Sequence, residues 1–342
     1  MAVELKGVAS AGLTGSSTDL SDDNLYLAGG FSSRPYGVTV EGTFQLGDPS
    51  KGLSGKLDAL VGTNAQQTLP VPAKLQAPAT YKLGGKSQPV DLVQLFGQYC
   101  FDLSVALCMS AGRVASSYAT DYISENLNNF IFHSLLTPWV PYTQTGFQLS
   151  LGRENVQWTA MLGPEPDGLD LDNLAHIITS LKGGYPTIKS PVVYATLNAL
   201  YGSDPAKDSD PAKTHYNVDA LLGIAGTWLG VELYLLRGAQ APAEGASQSW
   251  NGWSASLRVG KSDGLFRGYF RIGMGNDEGP KTAIYNFKAT QATLGLTVQP
   301  LPWFLVRANA ERISCGRDCT PFEGQSDLTR AGIQAVFFTP DP

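Results

Sequence analysis

Polar and apolar residues alternate with a period of two along most of this chain, and the alternation predicts sixteen β-strands. The stretch 38–46 is the clearest: Thr39, Glu41, Thr43 and Gln45 oppose Val38, Val40, Phe44 and Leu46. In 3–13, Glu4, Lys6 and Ser10 oppose Leu5, Gly7, Ala9, Ala11 and Leu13. In 53–63, Ser54, Lys56 and Asp58 oppose Leu57, Ala59 and Val61. Further strands are predicted at 90–100, 103–112, 143–152, 156–163, 174–184, 191–201, 215–225, 229–237, 250–260, 266–275, 285–299, 303–313 and 328–338. Residues 174–182 also suit a helix, and 24–31 could extend the second strand. Only a strand at 174–184 keeps the connections in phase, because seven short turns then alternate with eight long loops.

One architecture produces that alternation of links naturally. In an up-and-down antiparallel barrel every strand turns one face to lipid and one to a lumen. Short turns then face the periplasm and long loops face outside, and an even strand number puts both termini on the short-turn side. The fold expected is an all-β transmembrane barrel of about sixteen strands, one domain across 1–342. A soluble propeller would repeat every ~40–50 residues, and no such repeat is present. The last strand ends in Phe337-Phe338, as an interfacial aromatic girdle requires, with Thr-Pro-Asp-Pro after it.

Composition narrows the class. Charged residues make up 16%, while aromatics reach 10% and glycines number 38, an unusual balance for a soluble protein. Mean hydropathy is −0.08, and no apolar run is long enough for a spanning helix. A net charge of −6 and a pI near 5.1 argue against a nucleic-acid partner. Met1-Ala2 leads straight into a strand without a basic start and apolar core, so an exported form would be a mature one. The expected location is the outer membrane of a Gram-negative bacterium, with lipids, small solutes or ions, and a second copy of the chain as partners.

The cysteines fall in two pairs. Cys315 and Cys319, in Cys-Gly-Arg-Asp-Cys, are a candidate disulfide, whereas Cys100 and Cys108 read as about four residues out of register and unbridged. No Cys/His spacing suits zinc, and no cofactor is expected.

The segment Leu95-Phe-Gly-Gln-Tyr99, Gly112-Arg113-Val-Ala-Ser116-Ser-Tyr118, Asp121, Asn128, His133-Ser134-Leu135, Pro141 and Gly146 resembles the β-barrel porin-2 family of outer-membrane proteins. That family carries a strand ending Gly-Arg/Lys-Phe, a Gly-x-Glu stretch, and an Asn before a Ser-rich turn. Ala119 stands here for the glycine and Asp121 for the glutamate. The resemblance covers 95–146 closely and the rest through its strand pattern; it implies a porin-like barrel with loosely defined substrates.

A pore needs a wet lumen, a constriction and fixed charges rather than a catalytic group. Alternation turns Arg258, Arg267, Arg271, Arg307 and Arg330 inward on neighbouring strands, with Lys288 as a further candidate and Glu311 as the acid among them. They predict a basic wall. The other inward charges are mixed: Glu4, Lys6, Glu41, Lys56, Asp58, His176, Lys182, Asp219 and Glu232. Loop 113–142 is long and apolar (Phe130, Ile131, Phe132, Leu135, Leu136, Trp139), which predicts that it folds into the barrel. Arg113, Asp121 and Glu125 are its candidate constriction residues; packing on the rim or at a subunit contact is the alternative. A structural barrel plugged by this loop is the competing function.

Enzyme readings are weaker. Adjacent His133 and Ser134 rarely give nucleophile–base geometry. The acidic groups Asp167, Asp170, Asp172 and Asp204, Asp208, Asp210 lack calcium-loop spacing. Gly273-x-Gly275-x-x-x-Gly279 misses the dinucleotide fingerprint.

Overall fold

The period-two segments form strands throughout a computed structural model of the chain. The structure describes residues 3–16, 37–62, 80–83, 86–103, 105–115, 130–132, 134–136, 143–153, 156–167, 176–184, 192–204, 213–242, 247–261, 263–278, 288–317 and 326–339. In chain order the strands are β1 (Val3–Ser16), β2 (Gly37–Asp48), β3 (Lys51–Gly62), β4 (Thr80–Leu83), β5 (Lys86–Phe101) and β6 (Ala106–Ala115). Then come β7 (Thr143–Arg153), β8 (Val156–Asp167), β9 (His176–Gly184), β10 (Val192–Asp204), β11 (Lys213–Ala225) and β12 (Leu229–Pro242). The last five are β13 (Gln248–Val259), β14 (Phe266–Glu278), β15 (Lys288–Leu301), β16 (Phe304–Arg317) and β17 (Asp327–Phe338).

Leaving aside β4, which pairs only with β5, each strand pairs antiparallel with two ring neighbours, and β1 pairs with both β2 and β17, so sixteen strands form a ring. The closing seam runs from Val8↔Phe338 to Ser16↔Arg330. Thr339 extends it past the terminal aromatics: its N–H donates to Gly7 O (2.9 Å), and its Oγ1 accepts from Gly7 N (3.1 Å). Short and long connections alternate as the sequence predicts except at the β12–β13 link, 243–247, which is shorter than the turns 185–191 and 260–265; residues 176–184 form a strand, not a helix. The possible extension at 24–31 lies outside the described residues.

The two faces separate as a membrane requires. Leu5, Leu13, Leu57, Leu95, Leu197, Leu222, Phe270 and Leu294 are exposed, whereas Ser10, Asp58, Asn198, Asp219 and Thr293 on the opposite face are buried. An ionised side chain at mid-bilayer costs about 2–4 kcal/mol, which is why the charged set turns inward. Near the short-turn rim Phe304 and Phe337 stack at 4.6 Å with Trp303 beside them, an aromatic patch of the kind that sits at the interface.

Two details differ from the sequence reading. The stretch 65–89 holds a small hairpin in which β4 pairs with the start of β5, from Thr80↔Pro89 to Leu83↔Lys86. And Cys100 and Cys108 are directly opposite and disulfide-bonded, with Cα atoms 4.1 Å apart. The cause is turn length. The β5–β6 link spans 102–105 rather than the two residues 101–102, with Leu103 N bonded to Phe101 O (3.0 Å) and Asp102 paired with Lys51 (2.8 Å). That slides β6 until the two cysteines meet. Cys315 is also disulfide-bonded; Cys319 lies outside the described residues.

The β2–β3 turn shows why a glycine is needed at one position. Gly47 adopts φ 78° at the register shift between Leu46 and Asp48, and a Cβ there would lie 2.4 Å from Leu53 O.

Because the Cys100–Cys108 bridge ties residues eight apart, chain entropy gives it about 2–3 kcal/mol. The paired variant Cys100→Ser/Cys108→Ser is therefore expected to shift from folded to unfolded gel mobility at a lower temperature than the parent. An unchanged transition temperature would mean that the bridge adds nothing to the folded barrel.

Candidate inserted segment and arginine wall

The lumen side of β14 to β17 is built in cross-strand rows, because antiparallel partners share a face. One row is Arg271–Thr293–Glu311–Arg330. The next holds Tyr269–Gly295–Asn309–Gly332, and the third Arg267–Thr297–Arg307–Gln334. Four of the five predicted wall arginines thus share one patch. Three of them, Arg271, Arg307 and Arg330, are almost fully buried.

Glu311 organises the top row. Its carboxylate accepts from Arg330 Nε, from Gln291 Nε2 (2.6 Å) and from Thr293 Oγ1 (3.0 Å), with Arg271 Nη2 3.9 Å away. A buried carboxylate holds its charge only when so satisfied.

Onto this wall sits part of the long loop. Phe130, Ile131, Phe132, Ser134, Leu135 and Leu136 are all buried, six loop residues deep in the barrel. Wall side chains take up their backbone: Arg271 Nη2 donates to Phe132 O (2.5 Å), Ile131 N donates to Asn309 Oδ1 (2.5 Å), and Leu135 N donates to Gln291 Oε1 (3.1 Å). The rings cover the charges, with the Arg271 guanidinium 4.4 Å from the Phe130 centroid and that of Arg330 4.2 Å from Phe132. One glycine makes room for the loop. A Cβ on Gly252 would lie 2.3 Å from Leu136 Cδ2 and 2.4 Å from Met274 O, whereas one on Gly295 would meet Asn309 Nδ2 at 2.3 Å and only touch Phe130 Cδ1 at 3.5 Å. Leu136 therefore fills a notch left by Gly252 in the wall.

Leu135 and Leu136 continue into an apolar cluster made by inward side chains from several strands, among them Met161, Leu200, Leu236, Trp250, Ile313 and Leu328. Phe96 and Leu221 pack at its half-buried edge. Ser134 is buried and its Oγ accepts from Leu136 N (3.3 Å); His133 lies outside the described residues.

The remaining predicted residues are placed as follows. Arg267 is half-buried and donates to Gln299 Oε1 (2.7 Å). Arg258 leaves the patch: its guanidinium clamps two short turns through Gly226 O (2.6 Å) and Gly260 O (2.8 Å). Lys288 is exposed at the loop end of β15, on the face opposite the buried Ala289. Arg113 Nε donates to Thr143 Oγ1 (3.1 Å) across the β6–β7 ladder. Asp121, Glu125 and the side chains of Glu4, His176 and Lys182 lie outside the described residues.

Elsewhere the inward charges are locally paired. Lys56 meets Asp58 at 2.7 Å, Glu232 accepts from Tyr194 and from Ser256 (3.1 Å), and Asp219 accepts from Asn198 (2.9 Å). Glu311 is not the sole inward acid of this wall. Asp277, past the expected strand 266–275, is buried near the loop end of β14 and bonded to Gln248 Nε2 (3.1 and 3.0 Å).

Removing Glu311 leaves two guanidiniums facing each other in a buried site. Glu311→Ala is expected to destabilise the barrel by about 3–5 kcal/mol, measured by urea unfolding in detergent. A loss below ~1 kcal/mol would mean that the carboxylate does not hold the wall together.

With the geometry in hand, comparison with known proteins fixes the family. The sequence profile described as "Putative beta-barrel porin-2, OmpL-like" matches residues 3–339. No curated protein matches the chain. Solved structures share the fold: the anion-selective porin from Comamonas acidovorans aligns with TM-score 0.62 at 10% identity, covering 99% of both chains. A loop-deleted OmpT of Vibrio cholerae gives 0.60 at 13%, also covering 99% of both. Pseudomonas putida OprB gives 0.59 at 13%, covering 98% of this chain and 94% of its own. The chain belongs to this porin-2 family, and it is a porin-like β-barrel of the Gram-negative outer membrane.

Proposed function

We propose that the barrel is a passive diffusion channel whose arginine patch favours small anionic solutes. One observation carries this reading: Arg267, Arg271, Arg307 and Arg330 gather on one lumen wall around Glu311, with Asp277 as a second inward acid nearer the loop end of β14. The inward carboxylates of Glu41 and Asp58 belong to β2 and β3, two and three strands past β17 across the β1 seam, and Asp58 is paired with Lys56 (2.7 Å). An excess of fixed positive charge on one wall biases the lumen toward anions. The similar Comamonas acidovorans protein is described as anion-selective, which agrees with that sign. Catalysis has no part in this reading.

A second reading has its own support. The inserted segment is packed like a protein core, so a plugged barrel with a structural or surface role accounts for the same contacts. Assembly of three copies belongs with the channel reading, since one similar structure, OmpT of Vibrio cholerae, is described in a trimer form.

Planar-bilayer recording separates the two. Steady open-channel steps are expected, and silence favours the plug. Replacing Arg267, Arg271 and Arg307 with Gln should then move the reversal potential in a salt gradient toward cations. Three charges about 10 Å from a passing ion in water are worth ~1 kcal/mol, a several-fold change in permeability ratio. An unmoved reversal potential would mean that these side chains do not face the ions.

A further inference from the structure

The lipid face of the barrel is not smooth. Outside β15, β16, β17 and β1 runs a groove of about 710 Å³, within the ~300–1,000 Å³ of ordinary ligand sites. Small side chains make its floor: Ala310 and Ala331 are directly opposite, and Ala308 lies one row on, opposite Ile333. Larger side chains make its ridges. Leu294 and Leu296 of β15 stand on one side, Leu13 of β1 and Ile333 of β17 on the other. Leu294 is 64% exposed and Leu13 57%, so the ridges stand clear of the floor. These side chains alternate with the inward Thr293, Asn309 and Arg330, and the groove therefore opens to hydrocarbon and not to the lumen.

A polar roof bounds the groove on its loop side. One row above Leu294 and Ala310, β16 presents Arg312 between Ala292 and Thr329. In the next row Thr290, Ser314 and Asp327 are in register, and Lys288 is exposed above Thr290. Arg312 Nε and Nη2 donate to Asp327 Oδ1 (3.3 and 3.1 Å), an exposed pair of the kind that water weakens. Among the described residues nothing takes Arg312 Nη1 or the Lys288 ammonium. Height decides what these cations meet. Arg312 is eight residues along β16 from Phe304 of the short-turn aromatic patch. At ~3.4 Å per residue and a tilt of ~35–45°, that is a climb of about 20 Å in an apolar band ~25 Å tall. Long cationic side chains reach further still, which brings their heads to the level of the outer-leaflet phosphates.

We infer that groove and roof together bind one phosphorylated lipid of the outer leaflet. Its phosphate meets Arg312 and Lys288, and one acyl chain lies on the alanine floor between the ridges. Charge selects the occupant. Phosphate takes a guanidinium through charge-assisted hydrogen bonds, whereas a two-fold copy of this same face would set a second pair of cations against the first. Shape adds to it, because a chain in a groove has contact atoms on its flanks as well as beneath it. The inference rests on the outer-membrane location and is independent of the channel reading.

Native mass spectrometry of the full-length barrel in mild detergent, titrated with lipid A or with phosphatidylcholine, tests it. The parent is expected to bind lipid A in preference. Each surface cation is worth roughly fivefold toward an anionic lipid, so Arg312→Gln/Lys288→Gln should weaken lipid A binding about 25-fold and leave phosphatidylcholine unchanged. Ala310→Phe fills the groove and should weaken lipid A binding with both cations in place. Both sets of changes lie on the exposed face, and heat-modifiable gel mobility checks that each variant folds. Equal parent affinity for the two lipids would overturn the inference, and so would lipid A binding unmoved in either variant. A lipid-free dimer or trimer that Ala310→Phe dissociates would overturn it as well, since a second copy would then cover the groove.

Discussion

Hydrocarbon offers a backbone no hydrogen-bond partner, and each unpaired N–H or C=O left there costs several kcal/mol. For a chain of strands the solution is a ring without edges, and the rest of the molecule follows from that closure. Sixteen strands pair on both sides, and the β1–β17 ladder is prolonged by Thr339 where the last aromatic residue would leave Gly7 unpaired. A closed ladder fixes which residues share a face. Once the lipid face takes the leucines and phenylalanines, the arginines have only the lumen.

Closure also creates the need for the inserted segment. Inward side chains alone leave a ring of sixteen strands with an open lumen, and four guanidiniums gathered around Glu311 repel one another unless something screens them. Residues 130–136 supply backbone carbonyl and amide groups to Arg271, Asn309 and Gln291, and aromatic faces to Arg271 and Arg330. The strands answer with Gly252, whose missing side chain leaves space for Leu136. Neither partner is placed without the other. Wall and insert are one unit of packing, although their hydrogen-bonded partners lie 139 to 178 residues apart in sequence.

Much of this was legible from alternation alone, because a period of two assigns both strand and face. Arg267, Arg271, Arg307 and Arg330 fall on one wall for that reason. What alternation does not encode is the length of a turn, and the pairing of Cys100 with Cys108 depended on four linking residues instead of two. Nor does it encode what an inward side chain reaches: Arg258 points inward as read, but turn carbonyls capture it at the rim. Lys288 sits beside a register shift, where parity breaks down. The apolar character of 130–136 announced its burial. Part of its seat was written in Gly252, an inward glycine facing a greasy loop, and that signal was open to sequence reading.

The central claim is that residues 130–136 lie inside the barrel against β13 to β17. Disulfide trapping between Leu136→Cys and Gly252→Cys, in intact outer membranes rather than detergent, tests it most directly. Mild oxidation is expected to give a cross-linked, faster-migrating species in nearly all molecules. Absence of that bond, together with ready cross-linking of residue 136 to the loop-end rim, would contradict the account.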